Sequence, residues 1–336
     1  MWKFCYNKMI VFYFHSIFLL IIYQNAKVCD ASDDAQRFVA WLIIAPYDSR
    51  IIIINFSLIY KTTIPKNMTH LKQLFSTLVF IAGVFVNVHA QNDSGHYYTS
   101  FDSTKIYYEV KGNGYPVILV HGFIVNGESW KKTEVYKDLI NAGYKVISMD
   151  LRGNGKSDKP HIDEAYANDA EAKDIIGLAT ELGIKQYNVI GYSRGSIITA
   201  RLLVLDQRIN KAVMGGMGTD FTTPEWPRRK MFYRALIGDT VKELEGMVKY
   251  VKESGLDQLA LAYLQKEQPS TSKEVLAKVQ QPVLVICGDK DSDNGSAREL
   301  AKLFPHAVFA QVPGDHGGAL ATKEFAENVF DFFEKH

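Results

Sequence analysis

Cysteine is scarce here and has no paired spacing. Only Cys5, Cys29 and Cys287 occur, so neither a disulfide framework nor a cysteine-based metal site is expected. An excess of one charge is also lacking. The 336 residues carry a net charge of +1 and no basic block, which argues against nucleic acid or an anionic membrane surface as a partner. Residues 1–67 contain no glycine, although the chain has 24. A folded α/β domain needs glycine at its turns, so this stretch reads as foreign to the rest. Long apolar runs are missing from it too: 10–23 and 38–45 are short for a membrane span, and 51–60 is interrupted by Asn55 and Ser57.

From Met68 the pattern changes. Lys72 supplies a positive first region, 74–86 an apolar one, and Val88-His89-Ala90 a small-x-small cleavage site. This is the build of a secretory signal peptide over 68–90. The expectation is that translation starts at Met68 and that 1–67 is an N-terminal extension from a misplaced start, the alternative being a genuine membrane-associated N-terminal region. A peptide from 1–67 in the native protein would overturn it. No lipid-acceptor cysteine follows Ala90, so a lipoprotein is disfavoured. The mature chain, 91–336, is expected to be exported to a periplasmic or extracellular space, with no stable membrane insertion after cleavage. It keeps Cys287 alone, and a lone thiol buried in an apolar strand is inert.

With 47% hydrophobic residues the chain has ample material for a core. From 96 onward, strand and helix signals alternate. Strands are expected at 96–101, 105–110, 116–120, 145–149, 187–190, 211–214, 282–287 and 307–312. Helices are expected at 130–141, 166–182, 297–304 and 323–333. Repeated βα units imply a mainly parallel sheet with helices on both faces, and ligands of such sheets sit at the carboxyl ends of the strands. Between Gly218 and Gln281 no strand pattern occurs. Four helices, at 224–237, 240–252, 256–266 and 272–279, suggest a helical cap over about 219–281. Trp226, Met231, Phe232, Tyr233, Met247 and Tyr263 are candidates to line a pocket or to pack the cap, and Trp130 to face either pocket or core.

The stretch 187–196 reads Tyr-Asn-Val-Ile-Gly-Tyr-Ser-Arg-Gly-Ser. Here a buried strand turns sharply into a helix with Ser193 at the apex, bracketed by Gly191 and Gly195 in the spacing GxSxG. Such a reversal crowds the backbone, so neighbours without Cβ are required. The Arg194 N–H then lies at a helix N-terminus, where unpaired donors favour a developing negative charge. The Arg194 side chain is expected either to face solvent or to meet an anionic substrate. After the third strand comes His121-Gly122-Phe123, where the Phe123 N–H would be a second oxyanion donor and His121 a structural brace. After the fourth comes Asp150-Leu-Arg-Gly-Asn-Gly-Lys-Ser157, then Gly288-Asp-Lys-Asp291 and Pro313-Gly-Asp-His316.

These five motifs, in this order over about 96–336, resemble the α/β-hydrolase fold superfamily in its single-domain form with a small cap. The resemblance implies Ser193 as nucleophile, Asp291 as acid and His316 as base, with Asp220 the fallback acid, and Phe123 and Arg194 as oxyanion donors. Asn154 and Ser196 depart from the family pattern without touching the chemistry. His89, His161 and His306 have no partner pattern. The implied activity is that of a serine hydrolase, a carboxylesterase on small or medium acyl esters that needs no cofactor and no metal and takes a small-molecule ester as its partner. Activity should fall as acid protonates His316. Perhydrolysis, amide cleavage or C–C cleavage on the same residues is the rival within enzymes, and a non-catalytic small-ligand-binding protein the rival outside them. No signal in the sequence fixes an oligomeric state.

Overall fold

The computed structural model describes residues 95–335 and, ahead of them, the backbone of four strands, Lys8–Phe14, Ile17–Lys27, Ala35–Pro46 and Ile52–Lys61, paired antiparallel in that order. The chain divides into a unit Met1–Ala90 and a unit Gln91–His336. The expected signal peptide at 68–90, His89 included, lies outside the described residues. Among the described residues no helix is long and apolar enough to cross a membrane.

The second unit is built on eight strands: β1 (His96–Thr99), β2 (Lys105–Lys111), β3 (Pro116–Val120), β4 (Lys145–Met149), β5 (Tyr187–Tyr192), β6 (Ile209–Gly215), β7 (Val283–Gly288) and β8 (Ala307–Val312). Across the sheet they run β8-β7-β6-β5-β3-β4-β2-β1. Strands β3 to β8 pair parallel, and β2 and β1 add an antiparallel edge. Because parallel strands are covered on both faces, their sequences are apolar without alternation; β5 and β7 bury every residue.

Neighbouring side chains on one strand feed opposite cores. Ile118 and Val120 enter one apolar cluster with α2 (Ala170–Glu181) and α3 (Arg194–Leu205). Val117 and Leu119 enter another, with α1 (Glu134–Asn141) and the closing helix Lys323–Lys335. Trp130 belongs to this second cluster and so faces the core, not a pocket. The chain leaves β3 for β4 on one side and returns to β5 on the other. The loops at the carboxyl ends of β3 and β5 therefore diverge, leaving the crevice in which ligands of such sheets bind.

Several helices are shorter than their apolar periodicity suggests, each for a local reason. The stretch after Asn126 is a 3₁₀ turn, Gly127–Lys132, and α1 starts only after Thr133, whose hydroxyl caps the Tyr136 N–H at 3.3 Å. The expected helix at 166–182 loses its first turn because Asn168 and Asp169 take φ of 56° and 60°.

The cap occupies the connection between β6 and β7 with α4 (Pro227–Ile237), α5 (Glu245–Glu253), α6 (Gln258–Lys266) and α7 (Lys273–Leu276). Of two nearby prolines, Pro227 rather than Pro224 opens α4, the position that proline's fixed φ suits. Leu236, Val251, Leu261 and Leu264 form a small core of the cap's own, with Tyr166 of the main domain inserted. Tyr233, Met247 and Tyr263 pack against it, so they brace the cap. His161, given no partner by the sequence, meets Asp257 at 2.8 Å and ties the loop after β4 to the start of α6.

Candidate active site

Ser193 follows β5 and opens α3 with φ 54° and ψ −122°, a region that side chains other than glycine rarely occupy. The turn is held there by contact. A Cβ on Gly191 would lie 2.3 Å from Thr199 Oγ1, and one on Gly195 2.1 Å from the Val120 carbonyl oxygen. The Ser196 hydroxyl donates to the carbonyls of Gly191 at 3.0 Å and Gly215 at 2.8 Å. Its side chain thus fastens the elbow to β6, which a third glycine could not do.

His316, on the loop after β8, places Nε2 2.9 Å from Ser193 Oγ and Nδ1 2.9 Å from Asp291 Oδ2. A carboxylate accepts only, so Nδ1 carries the hydrogen and Nε2 is left to accept from the serine hydroxyl. Asp291 ends the turn after β7. Burial would raise its pKa, but the hydrogen bond from His316, attraction to that ring when it is protonated, and the Asp293 N–H outweigh this and hold it below the usual carboxylate value. The other candidate acids are engaged elsewhere. Asp289 accepts from the Gly314 N–H at 2.8 Å, Asp315 from Gly317 and Gly318, and Asp293 faces Arg228 at 3.6 Å. Asp220 sits in the turn Thr219–Thr222 against Gly295 and makes no hydrogen bond to His316. Tyr192, invisible to motif reasoning, donates its hydroxyl to the His316 carbonyl at 2.8 Å.

Gly122 lies against the serine: a Cβ there would be 3.3 Å from Ser193 Cβ. His121 is buried, its Nε2 accepting the Leu151 N–H at 3.0 Å and its Nδ1 therefore donating to the Gly122 carbonyl at 2.8 Å. Burial holds its pKa below the usual imidazole value, and the ring serves as a brace between two loops.

The Arg194 side chain neither faces solvent nor stands free for a substrate. It is buried and pairs with Glu171 of α2 through bonds of 2.6 and 2.5 Å, with a further bond to the Leu264 carbonyl at 3.2 Å. Burial of an arginine demands such a partner, and Glu171, 23 residues away, carries no motif that announces it. The glycine-rich loop after β4 is likewise structural. Asp150 accepts the N–H groups of Gly127 and Lys156, and the fully buried Arg152 joins Asp174 and Asp102.

A cavity of about 70 Å³ opens at Ser193 and His316, bounded by Phe123, Met217, Trp226 and Phe232 among others. Of the aromatic cap residues, Trp226 and Phe232 reach it, and Phe232 meets Phe123 edge to face at 5.8 Å. A larger, open hollow of about 460 Å³ within the cap touches none of the residues around Ser193 and is not the site. Among the described residues no group of three or more histidine, cysteine, aspartate or glutamate side chains is placed to hold a metal.

Fold and site together define an α/β protein with a strained serine at a strand-to-helix turn, within reach of a histidine–aspartate pair. A family model described as alpha/beta hydrolase fold matches residues 115–242. A protein of Synechocystis described as a candidate non-heme chloroperoxidase is 40% identical over 111 residues, 32% of this chain and 39% of that relative, so the match spans about two-fifths of its length. Among solved structures, a bromoperoxidase from Bacillus anthracis has a TM-score of 0.61 at 25% identity, over 72% of this chain and 100% of that one. An esterase from Exiguobacterium antarcticum has a TM-score of 0.60 at 22% identity over the same shares, a likeness of fold. The chain has the α/β-hydrolase fold.

Proposed function

We propose that the protein is a serine hydrolase cleaving carboxylic esters of small acids, with Ser193 as nucleophile, His316 as base and Asp291 as the acid that orients it. The observation that carries this reading is the unbroken hydrogen-bond line Asp291–His316–Ser193 at 2.9 and 2.9 Å, opening on a cavity. In the first step His316 Nε2 takes the serine proton as Oγ bonds to the ester carbonyl carbon. The negative charge on the carbonyl oxygen meets the N–H groups of Phe123 and Arg194. The bond to the alcohol breaks, the alcohol leaves with the proton from Nε2, and an acyl-serine remains. Water then gives its proton to Nε2 and its oxygen to the acyl carbon, releasing the acid and restoring Ser193. Lowered as it is, the Asp291 carboxyl stays ionised beside the imidazolium that forms in each step. The cavity of about 70 Å³ favours acyl groups of a few carbons.

Hydrolysis of p-nitrophenyl acetate, butyrate and octanoate, with a fluorophosphonate label and Ser193→Ala as control, tests the proposal. The two shorter esters should turn over fastest, and turnover and labelling should vanish together in the variant. Labelling without ester turnover would move the reading to another carbonyl reaction; neither, in folded protein, would favour a ligand-binding role. Perhydrolysis is supported by the relatives named as haloperoxidases: hydrogen peroxide replacing water in the second step would release a peracid. Adding peroxide to the same assay and titrating peracid separates the two. We also propose export through the segment 68–90, supported by its signal-peptide pattern. Amino-terminal sequencing of the secreted protein should begin at Gln91.

A further inference from the structure

The wall of the cavity at Ser193 is chemically one-sided. Three arginines, Arg194, Arg228 and Arg229, and three carboxamide residues, Gln265, Gln268 and Asn294, line it, but no aspartate or glutamate. A pocket for a purely neutral ester has no use for this, because polar groups taken from water without a partner are costly.

The three cations differ in what already neutralises them. Arg194 is matched by Glu171. Arg228 stands over the Phe232 ring, 5.0 Å from its centre, and faces Asp293 at 3.6 Å. Arg229, near the start of α4, has no carboxylate in ion-pair contact among the described residues. Its Nε donates to the Gln265 carbonyl at 2.9 Å, and Nη2 to that of Lys266. Both carbonyls lie in the last turn of α6, where backbone acceptors lack helical partners. These two bonds fix the guanidinium plane and engage Nε and Nη2, leaving Nη1 with no hydrogen bond among the described residues. Glu267 and Glu225 act on Arg229 only through space, and Glu225 is already paired with Lys230. Burial lowers the Arg229 pKa from the usual guanidinium value, as expected where a counter-charge is missing. Beside it Gln265 and Gln268, only 5% and 4% exposed, line the same cavity. A half-buried guanidinium with no carboxylate in ion-pair contact among the described residues and two buried carboxamide residues thus line the cavity that contains Ser193.

We propose that this cavity selects esters carrying a second, unreacting carboxylate, held by Nη1 of Arg229 and by the amides of Gln265 and Gln268 while Ser193 attacks the ester carbonyl. The proposal rests on the esterase reading above and names its substrate class. Acyl groups derived from short dicarboxylic acids fit the small cavity, and a carboxylate on the alcohol side would use the same donors.

The test compares matched pairs on the full chain at low ionic strength: p-nitrophenyl butyrate with mono-p-nitrophenyl glutarate, and phenyl acetate with 4-carboxyphenyl acetate. Each rate is divided by its uncatalysed rate. Charge-assisted hydrogen bonds of this kind correspond to about a ten- to hundredfold change in kcat/KM. The anionic member of at least one pair should therefore be preferred by about tenfold or more, and the pair that shows it locates the carboxylate. In Arg229→Gln that ratio should collapse towards one, and Arg229→Lys should restore part of it. Both rates come from one sample, so any loss of folded protein cancels in the ratio. Equal rates within both pairs, or a preference that survives in Arg229→Gln, would overturn the proposal. If no ester is cleaved at all, the esterase reading fails separately. Titration calorimetry with glutarate then decides the site: binding lost in Arg229→Gln supports it, and no binding to the native protein overturns it.

Discussion

Leu151 donates its backbone N–H to Nε2 of His121 at 3.0 Å, and this single bond settles the tautomer of a ring buried near Ser193. Nδ1 must then hold the hydrogen and donate to the Gly122 carbonyl at 2.8 Å. In a trans peptide, C=O and N–H point opposite ways. Pinning the Gly122 oxygen at His121 therefore turns the Phe123 N–H away from His121. His121 is a positioning residue for one of the two proposed oxyanion donors.

Replacing His121 with Phe should accordingly lower kcat by about tenfold to a hundredfold while changing KM little, a fraction of what deletion of an oxyanion donor costs. Steady-state kinetics on a short p-nitrophenyl ester reads this directly. An unchanged kcat would mean that the Phe123 amide is oriented by something else.

Stability should fall in two separate stages on acidification. Burial keeps His121 neutral in the folded chain, so below its ordinary value of 6.5 the unfolded state takes up a proton first and stability declines. Asp291 is depressed instead: its contribution is intact above the ordinary carboxylate range, about pH 4, and is lost as pH falls through the lower folded value. Tm measured from pH 7.5 to 3 should show both declines, and His121→Asn should flatten only the first. A Tm that stays level between pH 7 and 5 would contradict the account of His121.

Glycine at position 193 should make the protein more stable and abolish activity. The serine backbone there lies in a region that costs of order 1–3 kcal/mol for residues other than glycine, and the strain disappears without a Cβ. Denaturant midpoints should rank Ser193→Gly above both Ser193→Ala and the native protein. A midpoint for the glycine variant below that of Ser193→Ala would show that the turn is not strained.

The ion pair of Arg194 with Glu171 should be costly to break on one side. Glu171→Gln leaves a buried guanidinium without its charge partner, a loss of about 3–5 kcal/mol, whereas replacing both by Met at once should cost much less. Urea titration of the two variants decides this. If Glu171→Gln costs less than about 1 kcal/mol, water must reach Arg194 in the folded protein.

The parts of this fold that could be read from the chain are those whose cause is local. β5 and β7 are apolar runs because both of their faces are covered, and the elbow announces itself because Gly191 and Gly195 have no room for a side chain. Asp291, three residues after Gly288, lies against His316, joined to it by a hydrogen bond. What the chain hid are contacts between distant segments. Glu171 under Arg194, Asp174 under Arg152 and Tyr192 on the His316 carbonyl have ordinary neighbours in sequence and become partners only once the sheet is assembled. Helices start later than apolar periodicity implies where a cap or a positive φ, at Thr133 and at Asn168 and Asp169, overrides it.

Tyr192 and Ser193 are consecutive, yet the hydroxyl of one holds the His316 carbonyl and the hydroxyl of the other meets the His316 ring. Both ends of that arrangement belong to the sheet and its loops; neither belongs to the helices between β6 and β7. The cap is in this sense an interchangeable part. Grafting a different set of helices between Gly218 and Gln281 would change what the cavity admits and leave the geometry of attack where it is. For the proposed reaction, substrate choice and reactivity are therefore separately adjustable.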